Sequence, residues 1–121
     1  MKEPGSDHPI TVTPSPHRIR VVLGGFIVAE TTSALTLQEA NYPPVQYIPR
    51  ADVNMDLLER TAHHTMCPYK GEASYFTVMA GGLVRENAVW SYENPHPAVA
   101  GIKEHVAFYP NKVDAIEEFR D

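Results

Sequence analysis

The densest group of chemically active residue types is the segment Cys67 to Gly71, with the sequence Cys-Pro-Tyr-Lys-Gly. Pro68 fixes its own backbone angle at the first corner of a turn, and Gly71 can take the left-handed angle that follows. We expect this turn to fold Lys70 back towards Cys67, where an ammonium group favours the reactive thiolate. The segment therefore predicts a nucleophilic Cys67 assisted by Lys70. The alternative is that Cys67 is a small buried side chain and Lys70 a solvated turn residue.

A second candidate site lies on the segment 84–93, which alternates between apolar and polar residues. Strand alternation puts Trp90 and Tyr92 on an apolar face, together with Val84 and Ala88. Asn87 falls on the opposite, polar face, which also carries Arg85, Val89, Ser91 and Glu93. We expect the polar face to meet solvent, because antiparallel sheets commonly have one wet face. The functional alternative is a ligand groove lined by Asn87 and its neighbours.

Arg50 is the candidate anion-binding residue, because it follows a predicted strand and its planar guanidinium can hold a carboxylate or phosphate with two hydrogen bonds. At the rim of a groove it would complete an aromatic and cationic pocket for a planar anion. The aromatic members of that pocket are Tyr75, Trp90 and Tyr92. The alternative for Arg50 is a surface ion pair with Asp52 or Glu59.

The motifs of metal and cofactor sites are missing from the sequence. His63 and Cys67 would share a face of a strand, but a zinc site needs four ligands, and the others would have to come from distant residues such as His96 or His105. Glycine-rich phosphate loops, the serine hydrolase elbow and the metalloprotease motif are also lacking. We therefore expect no metal and no cofactor.

Two glycine pairs organise the elements that must position these residues. Gly24-Gly25 and Gly81-Gly82 each separate two runs of β-branched and aromatic residues, and glycine tolerates the positive backbone angles of tight hairpin turns. The sequence thus predicts two β-hairpins. Their arms are RIRVVL and FIVAE in the first, and SYFTVM and LVRENAVWSY in the second.

Further elements follow from the spacing of apolar residues. Segments 33–39 and 45–49 alternate like half-buried strands, whereas 52–58 fits either a strand or a capped helical turn. Apolar residues four apart across 98–106 predict a short amphipathic helix, and the pattern of 113–119 predicts a final helical turn or two. The predicted fold is mainly β, with antiparallel sheets, glycine-turn hairpins and one or two short helices.

Length and charge limit the classes of function. The chain has 121 residues, which suits one domain, and we expect residues 1–17 to form an extended proline-rich arm before a single compact β domain at 18–121. The formal net charge of −5 argues against nucleic acid as a partner. No apolar stretch is long enough to span a membrane, and residues 1–10 do not resemble a secretory signal. A single cysteine slightly favours a reducing compartment, and we expect a cytoplasmic protein.

Several segments resemble the family known as domain of unknown function 427, which also carries a nucleotidyltransferase-like label. The resemblance spans most of the chain and implies a compact, mainly β domain of the β-tent type. Folds of that type elsewhere hold zinc through paired C-x-x-C motifs, which this chain lacks, so no zinc site is implied. The segments that carry the resemblance are RIRVVLGG, ALTLQEANYPPVQYIPR, DVNMDLLERT, CPYKGEASYF, ENAVWSYENPHPAVAGI and HVAFYPNKVDAIEE.

Nucleotidyl transfer itself fits the sequence poorly. That reaction uses closely spaced carboxylates to hold Mg²⁺ beside a glycine-serine phosphate cradle. Asp52 and Asp56 would share one face of a strand, but Gly5-Ser6 lies in the predicted arm, away from any rigid cradle.

The functional prediction is binding of a small anionic or nucleotide-like molecule in a β-lined pocket, with turnover of that molecule left open. The alternative is a non-catalytic structural module that pairs with a second copy of the chain through an exposed edge strand.

Overall fold

The computed structural model describes residues 2–120, and their regular structure consists of β-strands with short 3-10 turns between them. Met1 and Asp121, the outer ends of the predicted arm and domain, lie outside the described residues. The strands are β1 (Ile10–Pro14), β2 (Arg18–Leu23), β3 (Phe26–Thr31), β4 (Leu35–Glu39), β5 (Val45–Pro49), β6 (Leu58–Cys67), β7 (Gly71–Ala80), β8 (Leu83–Ser91), β9 (His105–Phe108) and β10 (Ala115–Phe119). The 3-10 turns are Arg50–Asp52, Met55–Leu57, Pro97–Ile102 and Pro110–Lys112.

The strands form two antiparallel sheets. The larger has seven strands in the order β1-β4-β5-β9-β8-β7-β6, and the smaller has three in the order β10-β2-β3. The prediction of a mainly β fold with antiparallel sheets is confirmed. Within residues 2–120, no helix is long and apolar enough to cross a membrane.

Both predicted hairpins are confirmed. Gly24 and Gly25 join β2 to β3 with φ angles of +60° and +84°, and Gly81 and Gly82 join β7 to β8 with +59° and +79°. Positive angles at both central residues match the twist of the flanking strands. The turn chemistry of the sequence was therefore sufficient to locate these two connections.

The helix predicted across 98–106 is wrong. Pro97–Ile102 is a 3-10 segment broken at Val99, and Val106 lies in β9, where it pairs with Ile48. A 3-10 turn brings residues three apart onto one side, and Val99 and Ile102 are both buried. The apolar spacing thus reflects a short tight turn followed by a strand.

The helix predicted at 113–119 is also wrong. Residues Ala115–Phe119 form β10, which pairs with β2 so that Ile116 lies opposite Val21. The backbone groups on that edge of β2 need partners, and β10 supplies them. A pairing between segments so far apart in the chain overrides the local pattern.

The predicted arm and the ambiguous segment 52–58 both contain regular structure. Within the segment predicted as an arm, β1 pairs with β4 and forms one edge of the large sheet. The ambiguous segment 52–58 contains parts of two 3-10 turns, with Asp52 in the first and Asp56 in the second, and then β6 begins. The expectation that these carboxylates share a strand face is therefore wrong.

Side chains of the central strands divide between two separate cores. In β5, Tyr47 and Ile48 enter different cores, and in β7 the same is true of Tyr75 and Phe76. One core lies between the two sheets and includes Ile19, Val21, Leu23, Ile48, Phe76, Val78, Val89 and Val106. We call the other the tyrosine core; it includes Leu37, Tyr47, Ala73, Tyr75, Tyr92, Val99, Ile102 and Ala107.

The prediction of one apolar and one solvent-facing side for β8 is wrong. Val89 and Ser91, on the predicted polar face, are fully buried, whereas Val84, on the predicted apolar face, is 56% exposed. The small sheet covers the predicted polar face. A register shift opposite Thr77 adds a bulge in which Asn87 has a φ of +52° and Ala88 turns into the core between the sheets.

The tips of the two hairpins touch through their glycines. A Cβ atom built on Gly81 would lie 2.1 Å from the carbonyl oxygen of Gly24, and one built on Gly24 would lie 2.5 Å from that of Ala80. Gly25 and Gly82 have open space at the same position. Two of the four turn glycines are therefore required by the approach of the other hairpin as well as by their backbone angles.

We expect Gly81→Ala to destabilise the protein by about 1–3 kcal/mol more than Gly82→Ala. Both substitutions place alanine at a positive φ, but only the first drives a methyl group into the backbone of the other hairpin. Urea denaturation of the two variants measures the difference. Equal losses in the free energy of unfolding would show that the contact between the hairpin tips contributes nothing.

Candidate functional site

A cavity of about 180 Å³ opens beside the tyrosine core. Pairs of residues two apart on the same strand supply much of its lining, because such residues point to one face of a sheet. We call this cavity the tyrosine pocket. Its lining residues are Leu37, Glu39, Tyr42, Pro43, Val45, Tyr47, Lys70, Tyr75, Trp90, Tyr92 and Tyr109.

One side of the tyrosine pocket carries an ion pair that is largely withdrawn from solvent. The Lys70 Nζ donates to Glu39 Oε1, and the two side chains are 11% and 14% exposed. His8 Nε2 lies 2.7 Å from the other carboxylate oxygen, and its ring stacks on Tyr69 at 3.9 Å. Burial alone would raise the pKa of Glu39, but the hydrogen bonds from Lys70 and His8 outweigh burial and lower it. Glu39 is therefore held as a carboxylate.

The opposite walls are aromatic and carry hydroxyl groups. Trp90 Nε1 donates to the Tyr47 hydroxyl at 3.1 Å, and the Trp90 ring lies 4.4 Å from that of Tyr109. The Tyr75 hydroxyl lies 2.9 Å from Thr65 Oγ1 and 3.3 Å from the Tyr109 hydroxyl. These contacts fix the rings and leave phenol groups at the surface of the pocket.

Three of the lining tyrosines, Tyr47, Tyr92 and Tyr109, keep their protons at neutral pH. Burial raises the pKa of Tyr109 to about 12, and the hydrogen bond with Tyr75 acts in the same direction. Burial likewise raises the pKa of Tyr47 and of Tyr92. Neutral phenols can donate a hydrogen bond as well as accept one. The pocket thus combines one ammonium group, one carboxylate and several neutral donors.

The turn that follows Cys67 has the predicted form, but its lysine points to a carboxylate. Gly71 has a φ of +109° and pairs with Cys67 across the start of the hairpin. Cys67 is partly buried and packs against the tyrosine core, outside the lining of the pocket. Within residues 2–120, the structure records no hydrogen bond between Lys70 and Cys67. Lys70 therefore belongs to the lining of the pocket, and Cys67 does not.

Arg50 lies outside the tyrosine pocket. Its Nη2 donates to Glu93 Oε2 at 2.8 Å and to Ser91 Oγ at 3.2 Å, whereas Asp52 accepts from Thr31. The interpretation of Arg50 as an ion-pair residue thus fits the geometry, with Glu93 in place of Asp52 or Glu59.

Glu93 joins two arginines in what we call the arginine cluster. Arg60 donates to both carboxylate oxygens at 2.7 and 2.8 Å, and Arg50 to one of them. Both guanidinium groups also lie over the ring of Phe76. The hydrogen bonds from Arg60 are the largest influence that lowers the pKa of Glu93 to about 2, with Arg50 and Ser74 adding to it and burial opposing it.

Asn87 occupies a third place. It sits in the β8 bulge, where its Oδ1 accepts a hydrogen bond from Thr61 Oγ1 at 2.7 Å, and it lines a shallow depression beside Thr77. The structure therefore brings Lys70, Tyr75, Trp90 and Tyr92 to one pocket, packs Cys67 against the tyrosine core outside the lining and places Arg50 and Asn87 elsewhere. Within residues 2–120, no group of three or more His, Cys, Asp or Glu side chains is arranged to hold a metal ion.

Sequence reasoning missed several residues of the tyrosine pocket. Glu39 and Tyr47 were not selected, although each lies two positions after another lining residue, Leu37 or Val45. That spacing was a usable signal for a shared face. His8 lies in the predicted arm and carried no such signal.

The arginine cluster generates a prediction about pH. The pKa of Glu93 is lowered from 4.5 to about 2, so its ion pairs stabilise the fold above the ordinary carboxyl pKa. That stabilisation is lost as the pH falls from about 5 towards 2. After allowance for solvent screening, we expect Glu93→Gln to cost about 2 kcal/mol at pH 7 and far less at pH 2. Urea denaturation across this range measures the effect.

Glu86→Gln is the matched control, because Glu86 is an exposed carboxyl on β8 outside the cluster. Its free energy of unfolding should follow that of the unmodified chain at every pH. A loss from Glu93→Gln that stays constant between pH 7 and pH 2 would contradict the electrostatic account.

A family model described as a domain of unknown function (DUF427) matches residues 11–118, a span that contains every lining residue of the tyrosine pocket and the whole arginine cluster. No curated protein matches the chain. Because the match covers most of the sequence, the chain belongs to the DUF427 family.

Proposed function

We propose that the tyrosine pocket binds a small planar molecule that carries an anionic group. The observation that carries the proposal is the position of Lys70, the only basic side chain among the lining residues, at the edge of an aromatic cavity. Lys70 is buried as a residue, with 9% of its whole surface exposed. A largely desolvated ammonium group attracts an anion more strongly than one in water, because the local dielectric is lower.

The size of the cavity limits the ligand. About 180 Å³ is close to the roughly 150 Å³ of an engineered cavity that takes up benzene, and it is below the ~300–1,000 Å³ of most drug-sized pockets. One aromatic or heterocyclic ring fits such a space. Of a nucleotide-like molecule, only the planar ring would enter, and the remainder would stay outside.

The ion pair with Glu39 leaves Lys70 able to bind a ligand. An ammonium group has three N–H donors, and Glu39 takes one of them. His8 holds the other oxygen of Glu39, so the carboxylate keeps a partner if Lys70 turns towards a ligand. The hydroxyl groups of Tyr75 and Tyr109 can supply further hydrogen-bond donors to an anion by turning away from each other. Their rings and that of Trp90 provide stacking surfaces for a planar body.

Binding is favoured over catalysis at sulfur. The Lys70 ammonium group is paired with Glu39 and not with the sulfur, and Cys67 lies outside the lining of the pocket. A nucleophile must reach its substrate within the contact distance of the reacting atoms. We therefore propose a binding function first and keep turnover as an outcome of the test.

The matched probes are benzoate and benzamide, which share one ring and differ in charge. We expect benzoate to bind and to quench the fluorescence of Trp90, the single tryptophan of the chain, because Trp90 lines the pocket. The double variant Glu39→Gln, Lys70→Met removes the ammonium without leaving an unpaired buried carboxylate. This double variant should lower the affinity for benzoate at least tenfold and leave the affinity for benzamide nearly unchanged. Fluorescence titration and thermal shift measure both.

Two further variants sharpen this experiment. Lys103→Met removes an exposed lysine outside the pocket and should leave benzoate affinity unchanged. Cys67→Ser should change it by less than twofold, and a large loss would instead favour chemistry at sulfur. The proposal fails if benzoate does not bind, or if benzoate and benzamide respond equally to the double variant.

A second candidate function, pairing with a second copy of the chain, is favoured by β6. This ten-residue strand lies at the edge of the large sheet opposite β1, and its register with β7 shifts between Arg60 and His64. Unpaired backbone groups of an edge strand can pair with another edge strand, and two copies would do so about a two-fold axis.

We expect sedimentation equilibrium to give twice the 13.5 kDa chain mass if β6 pairs in this way. Ala62→Pro removes a backbone donor in the shifted stretch, and it should return such a dimer to a monomer. A monomer at every concentration of the unmodified chain would rule this candidate out.

A further inference from the structure

A second cavity, of about 330 Å³, lies between the two sheets. We call it the inter-sheet cavity. Strands β2 and β10 form one wall, and β5, β8, β9 and the residues next to them form the other. Its lining residues are Val21, Pro44, Val45, Gln46, Ile48, Trp90, Phe108, Pro110, Ile116 and Glu118. Its volume falls within the range usual for small-molecule sites.

The lining of the inter-sheet cavity is apolar except at one place. Gln46 and Glu118 are its polar members, and Gln46 Nε2 donates to Glu118 Oε1 at 3.5 Å. Glu118 is exposed, and the structure records no basic partner for it within residues 2–120. The cavity therefore combines an apolar interior with one carboxylate open to solvent.

This combination selects a class of ligand. An apolar body gains free energy by leaving water for the aliphatic and aromatic walls. A carboxylate without a basic partner attracts a cation and repels an anion. Trp90 and Phe108 add aromatic surfaces, which also attract ammonium groups. The charge preference is the reverse of that proposed for the tyrosine pocket, where the basic group is Lys70.

We propose that the inter-sheet cavity is a second binding site, specific for a small apolar amine. The apolar body lies against Trp90 and Phe108, and the ammonium group meets Glu118. The inference does not depend on the ligand of the tyrosine pocket, because it rests on different polar residues. The two cavities share Val45 and Trp90 in their walls, so an occupant of either one changes the surroundings of Trp90.

The probes are 2-phenylethylamine, 2-phenylethanol and 3-phenylpropanoate, which have similar apolar bodies and different charges. We expect the amine to bind the unmodified chain at least fivefold more tightly than the alcohol, and the carboxylate to bind most weakly at this site. Glu118→Gln should reduce the affinity for the amine to that for the alcohol. Titration of Trp90 fluorescence measures these differences in affinity. At high salt, the affinity for the amine should fall, whereas the affinities for the alcohol and the carboxylate should not.

Three variants make the assignment specific. Glu117→Gln alters the neighbouring carboxyl on β10, which lies near Arg20 and outside the cavity, and should leave amine affinity unchanged. Ile116→Phe fills the cavity and should abolish binding of all three probes there, with thermal melting checking that the variant is folded. The Glu39→Gln, Lys70→Met double variant should leave amine affinity unchanged.

Several results would overturn the inference. They are no saturable binding of the amine, equal affinities for the amine and the alcohol, and an unchanged amine affinity in Glu118→Gln. Loss of amine binding in the Glu39→Gln, Lys70→Met variant would locate the amine in the tyrosine pocket instead. Failure of benzoate to bind the unmodified chain would reject the function proposed for the tyrosine pocket and leave the inter-sheet site standing.

Discussion

Burial of both faces of the central strands is the constraint on which the rest of this structure depends. Tyr47 and Ile48 enter different cores, as do Tyr75 and Phe76. A shift of register by one residue would exchange the two faces, sending tyrosines between the sheets and aliphatic side chains to the pocket. The pairing is therefore strongly specified. The same alternation that builds the core between the sheets also aligns the walls of the tyrosine pocket.

The parts of the fold that the sequence predicted are those whose physical cause is local. Gly24 and Gly81 mark hairpins because tight turns need positive φ angles, and that need is visible in two adjacent residues. The segment 113–119 carried no comparable signal. Its apolar residues fit a helix, and only the pairing of Ile116 with Val21 makes the segment a strand. The local pattern of residues in one sequence does not reveal which distant segment will pair with it.

The same difference between local and distant causes explains which parts of the candidate site were predicted. Trp90 and Tyr92 line the same pocket, as two residues spaced two apart at the end of β8 should, and the turn after Cys67 was evident from its proline and glycine. What a local pattern could not supply was the partner of each charge. Lys70 meets Glu39, 31 residues away in the sequence, and Arg50 meets Glu93, 43 residues away. Those pairings decide which cation faces a cavity.

Arg50 and Lys70 differ in how strongly their hydrogen bonds tie them to the fold. In the arginine cluster, Glu93 receives three hydrogen bonds from two guanidinium groups that also lie over the ring of Phe76, so Nη2 of Arg50 and both Nη atoms of Arg60 are committed to the fold, while the buried Nε of Arg50 has no hydrogen-bond partner within residues 2–120. Lys70 gives one hydrogen bond to Glu39 and faces open space among aromatic rings. Glu39 has His8 as a second partner, whereas the partners recorded for Glu93 within residues 2–120 are the two arginines and Ser74. Displacing Arg50 towards a ligand would break a network that joins three strands, but turning Lys70 would leave Glu39 hydrogen-bonded. Of the two groups, Lys70 is therefore the one that could turn towards an anion with less disturbance of the fold.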